Sequence, residues 1–455
     1  MRLGARPETS IGRAAANWWV TDMPLPSLSC ERLLLGALAG SLAFSTSACA
    51  WLPQQEAARP KNRAFIHYWP DAPGDHSLRL AVKDNIDMRG VVTTAGSGFL
   101  AQHGPPAKKD APLLAIARER HVQIVGKTNM SEFAVAPSGF NEYFGTPRNP
   151  VSGWRRLIPG GSSSGSAVAV ASGLADVAIG TDTAGSVRVP AACCGVVGLK
   201  TTHGLIPVKG IYQIDAKHLD TVGPLARDIA TTAKGMDLLQ AGFAGKYAEA
   251  RRAHPNGHSL RVGRLRLKGT RTAIDEAVDR ALHQAGFEVV ELSPDFEEQW
   301  EQATKDGNRV AAAGAWISDE KFSNRPEINI RTRVVILAGR LAYGEGYREA
   351  LARRKAWQRT LDSVFRKVDF IAVPTLQTLP PAFPLDLRIG ILDARVLLLQ
   401  NTVAVNFAGN PALAQPIPLR PGKPTVTSLQ LIGPRFSEAR LLNAGRLVEK
   451  AVKGS

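Results

Sequence analysis

Two serines and one lysine in the first half of the chain have the types and spacing that could do chemistry. Ser162 lies in the loop Pro159-Gly-Gly-Ser-Ser-Ser-Gly-Ser166. Ser186 closes the run Gly180-Thr-Asp-Thr-Ala-Gly-Ser186, which continues as Val187-Arg188-Val-Pro-Ala191. Lys83 follows the apolar run Leu78-Arg-Leu-Ala-Val82. A glycine-flanked serine can attack a carbonyl carbon once a base takes its proton. Nine histidines are present, but none has an Asp and Ser setting that suggests a Ser-His-Asp arrangement. A Gly/Ser-rich loop ahead of a helix could instead hold phosphate. This one lacks the Gly-Lys-Ser/Thr ending of a P-loop, and no Gly-x-Gly-x-x-Gly follows a strand. A serine served by lysine is the remaining reading. Lysine has a pKa of about 10.4 in water, so such a base must be desolvated. A strand end aimed into a sheet interior would desolvate Lys83, whereas Asp84 and Asp87, close by in sequence, would keep it charged. Periodicity leaves its state open.

These residues need a rigid frame, and the pattern from about 65 to 245 supplies one. Short apolar runs alternate with small-residue helical stretches. Leu78–Val82, Val122–Val125 and Val177–Ile179 are expected strands, and Ala167–Gly173 an expected helix. Such alternation predicts an α/β fold, a sheet with helices on both faces. The polar stretch at 245–260 is a plausible boundary. Beyond it, Arg261–Leu265 and Phe287–Leu292 are expected strands flanking a helix at Ala273–Ala285. Residues 297–365 have mainly helical spacing, and Phe370–Val373 and Ser428–Ile432 return to strand.

The chain has 455 residues, 44% hydrophobic, enough for a large core. Its formal charge of +16 would suit an anionic partner, but the basic residues are scattered and not interleaved with aromatics. A soluble enzyme with a basic surface is expected, with no nucleic acid. The cluster Arg353-Arg354-Lys355 reads as a solvated helix face. Cys30, Cys49, Cys193 and Cys194 show no metal-ligand spacing. The adjacent pair Cys193 and Cys194 reads as buried small hydrophobes. No metal and no cofactor is expected. Residues 1–60 read as a targeting segment and linker. The apolar run 33–44, preceded by Arg32 and followed by Ser45-Thr-Ser-Ala-Cys49-Ala, is too short to span a bilayer and fits a secretory signal. Export to the periplasm or medium is therefore expected, with transient membrane contact through the signal or a lipidated Cys49. A cytoplasmic location follows if the segment is not a signal.

The two serine segments closely resemble the amidase signature family. Its Gly-Gly-Ser-Ser-Gly-Gly-Ser run appears as Gly160 to Ser166, and its Gly-Thr-Asp-x-Gly-Gly-Ser-x-Arg-x-Pro-Ala run as Gly180 to Ala191. Ser162 and Ser186 stand 24 residues apart, as the family pattern requires. Val82-Lys83-Asp84-Asn85, Gly126 to Met130, Gly195 to Thr202, Asn406 to Pro411 and Leu429 to Pro434 also match, so the resemblance spans roughly 65–450. It implies a large mixed central β-sheet covered by helices on both faces, with 61–455 as the amidase signature domain and a more variable helical insertion at about 250–350.

The resemblance also implies a chemistry. Ser186 would attack an amide carbonyl. Ser162, on a cis peptide in the family, would pass the Ser186 proton to neutral Lys83. Backbone N–H groups of Thr183, Ala184, Gly185 and Ser186 would form the oxyanion hole, with Ser163, Asp182 and Arg188 supporting the loop. The product would be an acid and ammonia or an amine, from a small-molecule or peptide amide; a homodimer is left open. Two other readings stand beside it: the amidase-type subunit of a tRNA-dependent amidotransferase, and a non-catalytic binding protein on the same fold. Three positions depart from the pattern. Ala184 and Ser164 replace glycines, and Cys193 replaces a bulky apolar residue. Ala184 is tolerable only at negative φ. Trp316, Phe322 and Tyr343 are candidates for lining a pocket or for core packing.

Overall fold

The computed structural model describes residues 58–151, 156–383, 393, 396, 400–422 and 425–454. The expected export segment, with Cys30 and Cys49, lies outside the described residues. The strands are β1 Phe65–Tyr68, β2 Asp75–Lys83, β3 Val122–Thr128, β4 Val177–Asp182, β5 Val197–Lys200 and β6 Thr221–Ala226. They continue as β7 Arg261–Arg264, β8 Glu288–Glu291, β9 Phe370–Pro374, β10 Ala412–Pro418 and β11 Val426–Ile432. All join one sheet in the order β1-β3-β2-β4-β6-β5-β10-β11-β9-β7-β8. β3, β2 and β4 run parallel, as do β9, β7 and β8; the strands between them alternate in direction. The fold is thus the expected α/β type with a large mixed sheet.

The helices are α1 Gly98–His103, α2 Ala115–Glu119, α3 Ser164–Ala171, α4 Arg188–Cys194, α5 Ile229–Leu239 and α6 Phe243–Ala253. After these come α7 Thr272–Gln284, α8 Pro294–Asp319, α9 Ile330–Gly344, α10 Tyr347–Phe365, α11 Val403–Ala408 and α12 Glu438–Lys453. The sheet is apolar on both faces because successive side chains point opposite ways. Leu80 and Val82 enter the core shared with α5, α7 and α12, while Ala81 faces α3 and α4. Likewise Phe370 and Ala372 face the first core, and Ile371 and Val373 pack under α8 and α10 with Trp300 and Trp357. Strands buried on both sides need helices on both sides.

Each expected element is present, with shifted ends. The helix expected at Ala167 begins at Ser164 and stops before Gly173, whose φ is +70°. Four strands go beyond what the pattern predicts: β1, β5, β6 and β10. Proline and glycine hide two of them. Gly223 and Pro224 sit inside β6, and Pro416 inside β10. Gly223 is there for close approach, since a Cβ on it would meet the Leu199 carbonyl oxygen at 1.7 Å. The basic cluster on α10 is not a purely solvated face. Arg353 pairs with the buried Asp306 at 2.5 Å, and Arg354 donates to the carbonyls of Phe407 and His218. These two arginines tie α10 to α8, α11 and the segment before β6.

Candidate active site

Lys83 stands at the end of β2, beside the end of its parallel neighbour β4. Its side chain is fully buried. The ammonium nitrogen Nζ lies 2.7 Å from Ser162 Oγ and 2.8 Å from Thr181 Oγ1, with the Thr181 carbonyl at 3.5 Å. Burial pulls its pKa down to about 7, against the charges of Asp182 and Asp220, which favour the ammonium. The expectation that Asp84 and Asp87 hold Lys83 charged is not met. Adjacent strand residues point to opposite faces, and Asp84 turns away to pair with Lys127 at 3.1 Å and to accept from the Thr94 hydroxyl. Asp87 accepts from Thr93 Oγ1.

Ser162 is fully buried and follows a cis Gly161–Ser162 peptide. Its carbonyl accepts from the Ser131 N–H at 3.2 Å. The next residue, Ser163, donates its N–H to the Ser186 carbonyl at 3.2 Å and its hydroxyl to the Thr181 carbonyl at 3.3 Å. The two serine segments, separate in sequence, therefore run side by side. Ser186 differs from Lys83 and Ser162 in one respect: it is partly exposed, whereas those two are fully buried.

The loop before Ser186 is held from below by a buried ion pair. Asp182 and Arg188 are both fully buried, with Arg188 Nη2 2.9 Å from Asp182 Oδ1. All five guanidinium N–H donors are used. They reach both Asp182 oxygens, the Thr402 carbonyl, Gln430 Oε1 and Asn406 Oδ1. Asp182 also accepts from Gly185 N at 2.8 Å, Val187 N at 3.1 Å and Asn406 Nδ2 at 2.8 Å. Burial alone would raise its carboxyl, but Arg188, with help from Lys200 and Asn406, holds it well below the usual carboxylate range. A buried pair with every donor and acceptor satisfied is the condition under which such a pair is tolerated.

Because Asp182 takes the Gly185 N–H, that group is separated from the other expected oxyanion donors. The N–H groups of Thr183, Ala184 and Ser186 have no protein acceptor among the described residues. Gly185 has φ +132°, and a Cβ there would meet Thr402 Oγ1 at 2.3 Å, so only glycine fits. Thr402 Oγ1 donates to the Ala184 carbonyl at 2.5 Å. Ala184 itself is not in the positive-φ region, so its methyl sits on ordinary backbone. Ser164 opens α3 with its hydroxyl buried and unpartnered. Cys193 is a buried free thiol, pushed up to about 12 by burial, and lies where a Cβ on Gly160 would meet its sulfur at 2.9 Å. It packs against the serine loop.

Several participants are not visible in the sequence. Thr181 is one more residue of the glycine-rich run there, yet it is the second partner of Lys83. Its one signal is its place inside the matched run Gly180 to Ala191. Thr402, Asn406 and Gln430 lie more than two hundred residues from the groups they hold. Asn406 and Gln430 fall inside matched segments, but nothing local indicates their partner.

A cavity of about 380 Å³ opens beside the serine loop, lined among others by Glu132, Phe140, Asn141, Arg331, Arg333 and Asp393. Its lining includes Ala136, whose carbonyl would meet a Cβ on Gly161 at 2.5 Å, but not Lys83, Ser162 or Ser186. Arg331 lies over the Phe140 ring at 4.6 Å, and Arg333 Nε is buried without a partner. Burial raises both the Glu132 and the Asp393 carboxyl. Of the aromatic candidates, Phe322 stacks on Phe133 in a core cluster and Trp316 packs against that cluster. Tyr343 is exposed beside Tyr347. None of the three lines this cavity.

A mixed sheet that brings a buried lysine to a buried serine, next to a donor-rich loop that ends in a partly exposed serine, is the arrangement of an amide-bond hydrolase. A family model described as Amidase matches residues 70–442, and the chain belongs to that family, the amidase signature hydrolases of C–N bonds. It is similar to a glutamyl-tRNA(Gln) amidotransferase subunit from Halobacterium salinarum, at 34% identity over 427 residues, covering 84% of this chain and 96% of that protein. The same-named protein of Natronomonas pharaonis is 36% identical over 82% of this chain and 95% of its own. Among solved structures, one described as an amidase superposes with a TM-score of 0.67 at 27% identity, covering 83% of this chain and 85% of that one. A protein from a vestigial complex related to an s-triazine catabolic enzyme gives 0.69 at 28%, with the same coverage.

Proposed function

We propose that the chain hydrolyses a carboxylic amide through an acyl-enzyme on Ser186, with Ser162 and Lys83 as the proton relay. The observation that carries this reading is the buried contact of Lys83 Nζ with Ser162 Oγ at 2.7 Å, with the partly exposed Ser186 on the segment that runs beside Ser163. A neutral amine has two N–H groups and one lone pair. Thr181 offers both its hydroxyl and its carbonyl to the N–H groups, which leaves the lone pair for the Ser162 hydroxyl proton. Ser162 then receives the proton from Ser186 as Ser186 attacks, and the relay returns it to the leaving amine. The N–H groups of Thr183, Ala184 and Ser186 receive the developing oxyanion; each such donor is worth about 3 kcal/mol. Water then hydrolyses the ester at Ser186.

The test is labelling of the purified chain with a fluorophosphonate, together with hydrolysis of aliphatic, aryl and peptide amides. Wild type labels and turns over at least one class, and Ser186→Ala does neither. Turnover retained by folded Ser186→Ala removes the mechanism. Absence of both labelling and turnover in the folded wild-type chain supports a binding protein instead.

The names of the relatives favour a second reading, an amidotransferase component that delivers ammonia to a partner protein. Ammonia released from simple amides by the isolated chain supports the hydrolase; release only on adding partner proteins supports the second. We also propose export, on the apolar run 33–44 of the sequence. Among the described residues, no helix is long and apolar enough to cross a membrane. Amino-terminal sequencing of the mature protein tests the proposal, and an uncut amino terminus overturns it.

A further inference from the structure

One buried carboxylate lies next to the oxyanion loop and outside the mechanism above. Asp220 is 6% exposed, and among the described residues no cation pairs with it. Its Oδ2 accepts from the N–H groups of Ile214 at 2.9 Å and Asp215 at 3.1 Å. Those contacts close its own loop, 211–220. Its Oδ1 instead accepts the hydroxyl of Thr183 at 2.7 Å. A loop-closing aspartate needs only one oxygen; the second is committed to the first residue after β4. Thr183 is also buried, and its N–H is one of three in the loop without a protein acceptor.

The same loop reaches the lysine. Tyr212 N–H donates to the Asn85 carbonyl at 2.7 Å, and Asn85 Nδ2 returns to the Tyr212 carbonyl at 3.2 Å and to Thr181 Oγ1 at 3.1 Å. Asn85, Thr181, Thr183 and Asp220 line a common small cavity, where Asn85 Oδ1 is buried without a partner. Asp220 therefore stands between the two halves of the site, the oxyanion loop on β4 and the lysine on β2.

We propose that Asp220 and Thr183 form a positioning pair for the amide-cleaving centre, in which the carboxylate fixes the first donor of the oxyanion loop and, through space, steadies the ammonium that Lys83 becomes when it takes the serine proton. The proposal rests on Ser186 being the nucleophile. Misplacing a fixed donor by an ångström can cost about a hundredfold in rate, so a side-chain bond that holds the donor matters even though it never touches substrate. The charges that face Lys83 are Asp182 and Asp220; Arg188 and Lys200 lie behind Asp182, and Asp215 faces Asp220. Burial and Asp215 raise Asp220 to about 6, so it is mostly ionised at pH 7 and can act on Lys83. Removing that charge lowers the Lys83 pKa further. The acid limb of the kcat/KM profile then moves to lower pH.

The experiment uses the full chain and a chromogenic amide that the wild type turns over. Ser186→Ala is measured first, because its turnover tests the nucleophile independently of the pair. Thr183→Val keeps the shape and removes the donor. It is expected to lower kcat about tenfold or more, with KM within about threefold and fluorophosphonate labelling slowed in parallel. Thr183→Ser is expected to restore most of kcat. Asp220→Asn is expected to move the acid limb down by about half a pH unit or more. A kcat for Thr183→Val within about twofold of wild type overturns the positioning role, whatever happens to the melting temperature. An unmoved acid limb in folded Asp220→Asn overturns the electrostatic one. If Asp220→Asn does not fold, the Thr183 series decides alone.

Discussion

Lys83 sits between two hydroxyls and a carbonyl, away from solvent, and the direction of its shift fixes how activity follows pH. As the proposed base, Lys83 must be neutral. Its pKa is lowered to about 7 by burial, so the neutral fraction grows as pH rises through 7. kcat/KM is expected to climb about tenfold per pH unit below that point and to level above it. A steady rise toward pH 10, as for an ordinary lysine, contradicts the burial argument. Ser186→Ala is expected to lower kcat by on the order of 10⁴ or more, and Lys83→Ala by nearly as much, because members of one relay are not additive. The double variant should be no worse than Ser186→Ala alone. Ser164 is a residue of a different kind. Its hydroxyl is buried without a partner, and a buried unsatisfied group costs about 1–3 kcal/mol. Ser164→Ala removes the cost and improves helix propensity. The melting temperature should rise by a few degrees, about 2–4 °C per kcal/mol gained, with turnover little changed.

At the level of elements, the oxyanion loop is the join of β4, α4 and α11, and Arg188 is what joins them. Its five bonds reach Asp182 on β4, Thr402 and Asn406 around α11, and Gln430 on β11. Arg188→Met leaves Asp182 buried with an unpaired charge, a loss of about 3–5 kcal/mol. Chemical denaturation should show that loss, and activity should fall even in the fraction that stays folded. An Arg188→Met variant of wild-type stability would show that the loop is held some other way. These same contacts mark how far the sequence can be read. Lys83, Ser162, Ser163, Asp182, Ser186 and Arg188 fall within short runs whose residue order is itself informative. β2 and β4 announce themselves by apolar runs of the right length. Thr402 carries no such mark, and Gln430, though inside a matched run, has nothing local that indicates its partner. Gln430 reaches Arg188 only because the sheet sets β10 between β5 and β11, and the prolines of β10 mask its periodicity; Thr402 is brought there by the turn into α11. The state of Lys83 is unreadable for a related reason. Sequence puts Asp84 next to it, and the alternation of the strand takes Asp84 away.

At the scale of the whole molecule, the sheet from β1 to β8 is the frame, and the cavity lined by Ala136, Arg331 and Arg333 lies toward α9. We propose that residues 61–455 carry the complete fold. A chain beginning at Lys61 is expected to keep kcat within about twofold of full length, since β1 begins only at Phe65. A large loss would assign the preceding residues a part in the site. The sheet also has an open margin at β8, far in strand order from the reacting centre. That strand reads Glu-Val-Val-Glu, and Glu288 and Glu291 at its two ends pair with Arg261 at 2.8 Å and Arg266 at 2.9 Å. An unpaired strand edge is a template on which another chain can add. Charged side chains at both ends of a short edge strand disfavour such addition. Replacing both glutamates with valine removes that guard, and light scattering that grows with protein concentration is the expected result.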